Sequence, residues 1–234
     1  MGWNILKEVL LELVAPTRCA GCERPGSVLC DRCIDEIRLY RKMHPCVRCG
    51  APYGELICTE CEGEEFTFDR VVCLGELDGP LSRAVVIYKD GFELRLGKVL
   101  GDLLAQRCAF QFMAEGDRID LVTWIPPSTH ALRQRGYDHA MILAQSVARR
   151  LGVECTQYLV CQKRKDLRTL SREQRREAMS NSFKIIDSDI DVNGRHLLIV
   201  DDVLTTGATM QGAASIYRQH GAASVTGAVL ARAW

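Results

Sequence analysis

The sequence predicts an α/β fold with a Rossmann-like parallel sheet, preceded by a small N-terminal module rich in cysteine. The first observation behind this is the apolar run Leu197–Val200, which is typical of a strand buried on both faces of a parallel sheet. Two acids, a Thr/Gly loop and a helical pattern follow it, an order that places a ligand where such strands end. The second observation is a set of four Cys-x-x-Cys pairs near the N-terminus. We therefore expect a helix and metal-binding module at 1–65 and an α/β domain at 66–234.

The remaining elements follow from periodicity and turn residues. Apolar runs predict strands, and apolar residues at helical spacing predict helices. Lys89, Asp90 and Gly91 are expected to form a turn between two helices. The predicted strands are Val71–Leu77, Asp120–Ile125, Val153–Val160, Leu197–Val200 and Ser224–Leu230, and the predicted helices are Pro80–Tyr88, Glu93–Phe112, the segment after Gly136, and the segment from Thr209 to Gln219.

The loop after Val200 combines residue types that suit a sugar phosphate. Its glycine allows backbone to approach a ligand, and the helix that follows offers free N–H groups and its positive dipole end to a phosphate monoester. The two carboxylates would repel a phosphate, so vicinal sugar hydroxyls or a metal bound to them are their natural partners. A ribose 5-phosphate group satisfies both halves. The residues expected to bind it are Asp201, Asp202, Thr205, Thr206, Gly207, Ala208 and Thr209.

The segment Val200–Thr209 resembles the motif with which type I phosphoribosyltransferases bind 5-phosphoribosyl 1-pyrophosphate (PRPP). In that family the two acids hold the ribose 2′- and 3′-hydroxyls, and the Thr/Gly loop holds the 5′-phosphate. The resemblance implies a type I phosphoribosyltransferase-like domain that binds PRPP together with Mg²⁺.

Eight of the 12 cysteines form the four Cys-x-x-Cys pairs. One pair can hold a tetrahedral metal from a single turn, and two pairs complete a structural Cys₄ zinc site with no open position for catalysis. The spacing permits pairing in chain order or a crossed arrangement, and a disulfide framework is the alternative that a reducing cytosol disfavours. The predicted ligands of two zinc ions are Cys19, Cys22, Cys30, Cys33, Cys46, Cys49, Cys58 and Cys61.

Four basic residues and one serine in three loops are candidates to contact a pyrophosphate. One loop follows the strand Asp120–Ile125, and another is the run Lys163–Arg176, which is the most basic stretch of the chain. This run would close over a diphosphate or follow a nucleic-acid backbone, and an ordinary solvated loop is the plain alternative. The candidates are Lys89, Ser128, Arg135, Arg168 and Arg175.

Charge and hydropathy bear on location. The formal net charge is +0, so no global attraction to nucleic acid or membranes is expected. The segment Trp3–Val14 is apolar but contains Lys7, Glu8 and Glu12, and it is too short and too charged to span a bilayer. Because it also lacks the pattern of a signal peptide, we expect a cytoplasmic protein with no transmembrane segment.

The segment Leu132–His139 and the basic run are similar to the ComF family of competence proteins, and this resemblance covers nearly the whole chain. Arg135 and Gly136 match the family pattern, Tyr137 replaces Phe, and Asp138–His139 replace Asn–Gln. The resemblance implies a double zinc ribbon before a phosphoribosyltransferase-type domain, and a role in natural transformation. It also implies single-stranded DNA, a competence helicase and recombination mediator proteins as partners.

Three functions remain open from the sequence. The first is a DNA-uptake accessory that binds PRPP or a ribose phosphate and single-stranded DNA. The second is an active phosphoribosyltransferase with an unknown acceptor, and the third is a zinc-dependent interaction scaffold with a vestigial pocket. No residue is assigned a catalytic role, and the sequence predicts no oligomeric state.

Overall fold

The computed structural model describes residues 16–39, 45–52, 57–162, 182–186 and 190–233. The predicted N-terminal helix and the basic run, with Arg168 and Arg175, lie outside the described residues. The described helices are α1 (Asp31–Leu39), α2 (Gly79–Asp90), α3 (Leu94–Glu115), α4 (Thr129–Arg135), α5 (His139–Leu151) and α6 (Ala208–Gln219). The described strands are β1 (Arg70–Glu76), β2 (Leu121–Trp124), β3 (Glu154–Cys155), β4 (Leu159–Cys161), β5 (Phe183–Ile185), β6 (His196–Leu204) and β7 (Ser224–Arg232).

Five of the described strands form one parallel sheet in the order β1-β7-β6-β2-β3, with β6 in the middle. The predicted parallel α/β sheet is thereby confirmed. Because all five strands run in the same direction, their carboxyl ends lie along one edge. The acids of β6 and the loop after β2 share that edge, which is where open α/β sheets bind ligands.

Three predicted boundaries were wrong. Strand β6 continues past Val200 to Leu204, because the acids keep their ladder pairing with β7: Asp201 pairs with Val229, and Leu204 with Arg232. The expected strand Val153–Val160 is two strands, since β3 pairs with β2 over two residues while β4 pairs with β5 in a separate antiparallel sheet. Lys89 and Asp90 form the last turn of α2 instead of a loop.

The two faces of the sheet carry separate hydrophobic clusters. Alternating residues of β6 serve both: Leu198 and Val200 pack in the cluster with α1, α2, α3 and α5, while Leu197 and Ile199 pack in the cluster with α6. Cys19 and Cys33 belong to the first cluster, and the second Cys group belongs to the second. The two cysteine groups therefore pack with opposite faces of the sheet.

Helix α5 is held by close packing against α3 and by a cap at its first turn. A Cβ atom added at Gly101 of α3 would lie 2.7 Å from Oγ of Ser146 in α5, so only glycine allows this approach. Asp138 is the N-cap of α5, and its side chain accepts a hydrogen bond from the N–H of Met141. The helix thus begins with His139 at the carboxyl edge of the sheet. Among the described helices, none combines the length and apolar character that crossing a membrane requires.

Candidate functional site

The eight predicted zinc ligands form two groups in chain order, with Cys19, Cys22, Cys30 and Cys33 in one and Cys46, Cys49, Cys58 and Cys61 in the other. Within each group the four sulfur atoms lie within 4.8 Å of one another. The Sγ–Sγ distances are 3.7 Å for Cys19–Cys33, 3.6 Å for Cys22–Cys30 and 3.7 Å for Cys49–Cys58. Zn–S bonds of about 2.3 Å in a tetrahedron place sulfurs about 3.8 Å apart. Both groups therefore have the size of a Cys₄ zinc site, and the crossed pairing does not occur.

Backbone N–H groups favour the thiolate form that zinc requires. The N–H groups of Gly21 and Cys30 point to Sγ of Cys19 at 3.4 and 3.3 Å, and the N–H of Cys58 points to Sγ of Cys46 at 3.3 Å. Burial alone raises the pKa of Cys19, but these backbone donors outweigh it and lower that pKa to about 6. The same balance lowers the pKa of Cys46 to about 7.

The predicted phosphate loop lies at the end of β6. Thr205 and Thr206 are exposed, and Gly207 has φ 76°, a left-handed conformation that glycine adopts without strain. Helix α6 begins at the next residue, and the N–H of Ala208 points to Oγ1 of Thr206 at 3.4 Å. The first turn of α6 thus presents its N–H groups and dipole at the carboxyl edge of the sheet, beside two exposed hydroxyls.

The two acids differ in their surroundings. Asp202 is 4% exposed, whereas Asp201 is half-buried. Each carboxylate accepts a hydrogen bond from the next backbone N–H, at 2.8 Å for Asp201 and 2.7 Å for Asp202. Burial and the negative charge of Asp202 hold the pKa of Asp201 well above its ordinary value. Asp202 therefore ionises more readily than Asp201.

Asp202 is held by two basic side chains from different helices. Its Oδ2 atom lies 2.5 Å from Nζ of Lys89, at the end of α2, and 2.9 Å from Nε2 of His139, at the start of α5. Burial raises the pKa of Asp202, but the hydrogen bond from His139 and the charge of Lys89 outweigh it and bring the pKa below its ordinary value. Lys89 thus acts as the counter-ion of a buried carboxylate.

His139, Asp201 and Asp202 also form a group whose ligand atoms lie within 4.8 Å of one another, which is the spacing of a cation site. The ammonium group of Lys89 already contacts the more buried carboxylate. Of the two acids, Asp201 is therefore the one whose carboxylate is placed to meet a cation that arrives with a ligand.

A network of hydrogen bonds ties the end of α2 to the α4–α5 connection. The hydroxyl of Tyr88 donates to the carbonyl of His139 at 2.8 Å, and the hydroxyl of Tyr137 donates to the carbonyl of Tyr88. Trp124 at the end of β2 donates its indole N–H to Asp138 at 2.9 Å. These bonds position both basic partners of Asp202 on the sheet edge.

The structure gives the three described pyrophosphate candidates roles within the protein. Lys89 pairs with Asp202, and Arg135 pairs with Asp90 at 3.5 Å. The hydroxyl of Ser128 caps α4 by accepting a hydrogen bond from the N–H of Ala131 at 3.1 Å. All three lie on elements at the carboxyl edge, and Arg135 contacts the residue that follows Lys89.

Sequence reasoning missed two residues of this region. His139 was noted only as a replacement for Gln, and no signal in the sequence indicated its contact with Asp202, 63 positions away. Arg232 ends the largely buried strand β7 and donates hydrogen bonds to the carbonyls of Leu204 and Thr205. A lone arginine after the run Val229–Ala231 was the signal that would have drawn attention to it.

Comparison with known proteins bears on this site. Residues 138–233, which include both acids and the Thr/Gly loop, match the family model Phosphoribosyl transferase domain. The C-terminal part of the chain therefore has the type I phosphoribosyltransferase fold. This confirms the fold class predicted from the acid pair and the loop.

Relatives match this chain over most of its length. It is 27% identical over 222 residues to DNA utilization protein YhgH of Salmonella typhi, covering 91% of this chain and 96% of that protein. It is 28% identical over 212 residues to Competence protein F of Haemophilus influenzae, covering 88% of this chain and 90% of that protein. These homologues confirm the resemblance to the competence family.

Among solved structures, the glutamine PRPP amidotransferase from B. subtilis is similar to part of this chain. The sequence identity is 21%, the TM-score is 0.39, and the match covers 57% of this chain and 25% of that one.

Proposed function

We propose that this protein binds PRPP or a related ribose phosphate at the end of β6 and supports the handling of imported single-stranded DNA in natural transformation. One observation supports the first part of this proposal, the binding of a ribose phosphate. Two neighbouring acids and a Thr/Gly loop at a helix N-terminus lie together at the carboxyl edge of the sheet, in its middle strand. This is a place where an anion and a polyhydroxyl group find complementary partners a few ångströms apart.

The phosphate half of the ligand binds the start of α6. The exposed hydroxyls of Thr205 and Thr206 and the N–H groups of residues 207–209 surround a 5′-phosphate there, and the left-handed conformation of Gly207 turns the chain into the helix. The N-terminal end of the helix dipole adds a favourable charge interaction.

The sugar half lies against the acids, which accept hydrogen bonds from the vicinal hydroxyls. Asp202 remains ionised because Lys89 and His139 hold it, so it is a fixed acceptor. Asp201 faces the ligand with a raised pKa and becomes a better acceptor when it loses its proton. A Mg²⁺ ion that enters with the pyrophosphate would neutralise part of its charge, and Asp201 is the carboxylate placed to hold it.

The pyrophosphate half has candidates on several segments. Lys89 and Arg135 lie at the same sheet edge as the acids. Lys89 would add a phosphate oxygen to its contact with Asp202, and Arg135 would exchange Asp90 for a phosphate oxygen when the ligand binds. Ser128 offers its hydroxyl from the loop after β2. Arg168 and Arg175 in the basic run complete the proposed set.

The DNA-related half of the proposal rests on the relatives and on the basic run. One relative is named for DNA utilization and the other for competence, and the run Lys163–Arg176 carries seven Lys and Arg residues against two acids. A DNA backbone is a natural partner for such a segment. We expect a competence helicase and recombination mediator proteins as partners, and we expect the protein to work in the cytoplasm, where its cysteines stay reduced and do not form disulfides.

Calorimetric titration tests the ligand. Wild type is titrated with PRPP and with ribose 5-phosphate in Mg²⁺, and so are Asp201→Asn and Thr206→Val. We expect saturable binding by wild type and a loss of roughly tenfold or more in each variant, since each removes a hydrogen bond to a charged or hydroxyl group of the ligand. The control Asp35→Asn, at an exposed position on α1, should bind like wild type. If wild type binds neither compound, the ligand proposal fails, and this result favours a zinc-dependent interaction scaffold with a vestigial pocket.

A second assay separates a binding protein from an active transferase. Release of pyrophosphate from PRPP is measured with bases, amines and oligonucleotides as acceptors. Turnover that depends on one acceptor would favour the transferase, whereas tight binding without turnover favours the DNA-handling accessory. Titration of single-stranded DNA with wild type and an Arg168/Arg172/Arg175 triple variant tests the basic run, because an unchanged DNA affinity would contradict its proposed role.

A further inference from the structure

The second cysteine group (Cys46, Cys49, Cys58 and Cys61) packs directly on the sheet beside the phosphate loop. A Cβ atom added at Gly50, which follows Cys49, would lie 2.6 Å from Cβ of Cys73 in β1. The backbone after Cys49 therefore packs so closely on β1 that no side chain fits between them. The same hydrophobic cluster contains Leu204 and Met210, on either side of the loop. The metal site and the loop therefore share one packed core.

One buried side chain connects a predicted zinc ligand to the loop. Arg232, 9% exposed, donates to the carbonyl of Leu204 at 3.2 Å and to the carbonyls of Thr205 and Ala233. Burial raises the pKa of Cys49, and a side-chain interaction with the Arg232 guanidinium opposes that rise. A zinc ion with four thiolates carries a net charge of about −2, which a neighbouring guanidinium offsets. The same cation thus contacts the metal site and the backbone that leads into the phosphate loop.

The segment between the metal site and β1 makes a second connection. Gln211 in the first turn of α6 donates to the carbonyl of Glu65 at 3.0 Å and accepts from the N–H of Thr67 at 3.1 Å, while Oγ1 of Thr67 donates to the carbonyl of Gln211 at 2.8 Å. Phe68, 1% exposed, lies beneath the loop, since a Cβ atom at Gly207 would be 3.8 Å from its ring. Residues that follow Cys61 therefore support the helix start that presents N–H groups to the phosphate.

We propose that metal in the second cysteine group sets the ligand affinity of the phosphate loop, with Arg232 as the positioning residue that joins them. The inference rests on the proposed binding of a ribose phosphate at that loop. When the group holds zinc, the four thiolates are fixed, and Arg232 has an anionic partner on one side and the loop carbonyls on the other. When the metal leaves, the guanidinium loses that partner, and the segment 65–68 loses its anchor at Cys61. The loop is then less well ordered before the ligand arrives. Ordering it on binding costs free energy, and this cost lowers the affinity.

The first cysteine group (Cys19, Cys22, Cys30 and Cys33) supplies a matched control, because its contacts are elsewhere. A Cβ atom at Gly21 would lie 2.9 Å from Cβ of Pro80, and Arg83 donates to the carbonyl of Gly21 at 2.5 Å, so this group rests on the start of α2. Its buried residues belong to the cluster on the opposite face of the sheet from α6. Loss of this metal should leave the phosphate loop intact.

The experiment compares full-length Cys61→Ser with full-length Cys33→Ser, since both cysteines are buried ligands of different groups. Zinc content is measured by mass spectrometry, hydrogen exchange is followed in peptides covering 204–211, and PRPP and inorganic phosphate are titrated by calorimetry. We expect each variant to retain one zinc. Cys61→Ser should show faster exchange in 204–211 and about tenfold weaker binding, as expected when one charged hydrogen bond is lost. Cys33→Ser should show neither change. If hydrogen exchange in 204–211 is the same in the two variants, the inference is wrong.

A second pair of variants keeps the test valid if Cys61→Ser fails to fold. Arg232→Gln removes the guanidinium without removing a thiol, and Arg149→Gln, at an exposed position on α5, is its control. Arg232→Gln should retain both zinc ions yet show faster exchange in 204–211. Unchanged exchange there would contradict the role of Arg232. If wild type binds neither PRPP nor phosphate, the proposed function fails, while the exchange comparison still decides the connection between the metal and the loop.

Discussion

Lys89 and Asp202 are separated by more than a hundred residues in the chain, yet Nζ of one lies 2.5 Å from Oδ2 of the other. The pair joins the end of α2 to the middle strand of the sheet. Asp202 is 4% exposed, and His139 contacts the same carboxylate oxygen at 2.9 Å. The acid motif is therefore part of the packing of the fold as well as a candidate binding site.

Replacing Lys89 with Met should destabilise the protein, because it leaves a buried carboxylate with His139 as its basic partner. Removing one partner of a buried pair costs about 3–5 kcal/mol, and the partial exposure of Lys89 lowers our expectation to about 2 kcal/mol. Urea unfolding measures the loss. The control is Lys98→Met, at an exposed position on α3.

The double variant Lys89→Met/Asp202→Asn provides the matching test of coupling. Because the second change removes the unpaired charge, the double variant should be more stable than the sum of the two single losses predicts. Simple additivity would show that the pair contributes nothing to the stability of the folded protein.

Asp201→Asn should raise the free energy of unfolding at pH 7 while weakening the binding of a ribose phosphate. The folded protein raises the pKa of Asp201 through burial and the charge of Asp202, so keeping this group ionised at neutral pH costs stability. We expect a gain on the order of 1 kcal/mol, the worth of about one pKa unit. As the pH falls through the raised pKa toward about 4, wild type gains the proton and the difference should disappear.

Urea unfolding at several pH values between 4 and 8 checks this prediction, with Asp35→Asn as the exposed control. Asp202→Asn should behave in the opposite way. The pKa of Asp202 is lowered by His139 and Lys89, so its ionised form stabilises the protein above about pH 4, and that contribution is lost as the pH falls further. A destabilising Asp201→Asn at pH 7 would contradict the assignment of the raised pKa.

The chain should bind two zinc ions, and serine at one cysteine of either group should remove one of them. The sulfur atoms in each group are spaced for a tetrahedral site, and zinc binding contributes directly to folding in such modules. Metal analysis of the purified protein gives the count, and chelation should lower the melting temperature. A preparation that folds normally without zinc would rule out the metal role of the cysteines.

Asp138→Ala should cost about 1–2 kcal/mol, because it removes both the cap of α5 and the acceptor of the Trp124 indole N–H. The start of α5 positions His139, so the same change should also weaken ligand binding. Thermal unfolding and PRPP titration measure the two effects, with Ser128→Ala as a comparison that removes only a cap. Unchanged stability of Asp138→Ala would show that the cap does not hold the helix start.

Local patterns in the sequence predicted part of this picture. The apolar run before Asp201, the glycine of the loop and the Cys-x-x-Cys pairs are short-range signals, and each indicates a strand, a turn or a metal site by itself. The contacts of Lys89, His139 and Arg232 with the acids, the loop and Cys49 join residues far apart in the chain. No local pattern specifies which helix end meets which strand, so these contacts required the three-dimensional packing.

The ends of β6 and β3 show why boundaries were harder to predict. Two acids after an apolar run are typical of a loop, but pairing with β7 keeps Asp201 through Leu204 in the ladder. In contrast, Val153–Val160 looks like one strand, but the sheet accepts two of its residues before the chain turns to pair with β5. In both places the neighbouring strands decide where a strand ends.

The most direct test of the binding site is a crystal structure of the protein with PRPP and Mg²⁺. We expect the 5′-phosphate to lie within hydrogen-bond distance of the N–H groups of residues 207–209. We expect the ribose hydroxyls to contact Asp201 and Asp202. A ligand bound at another surface, with the loop after β6 empty at saturating PRPP, would contradict this prediction.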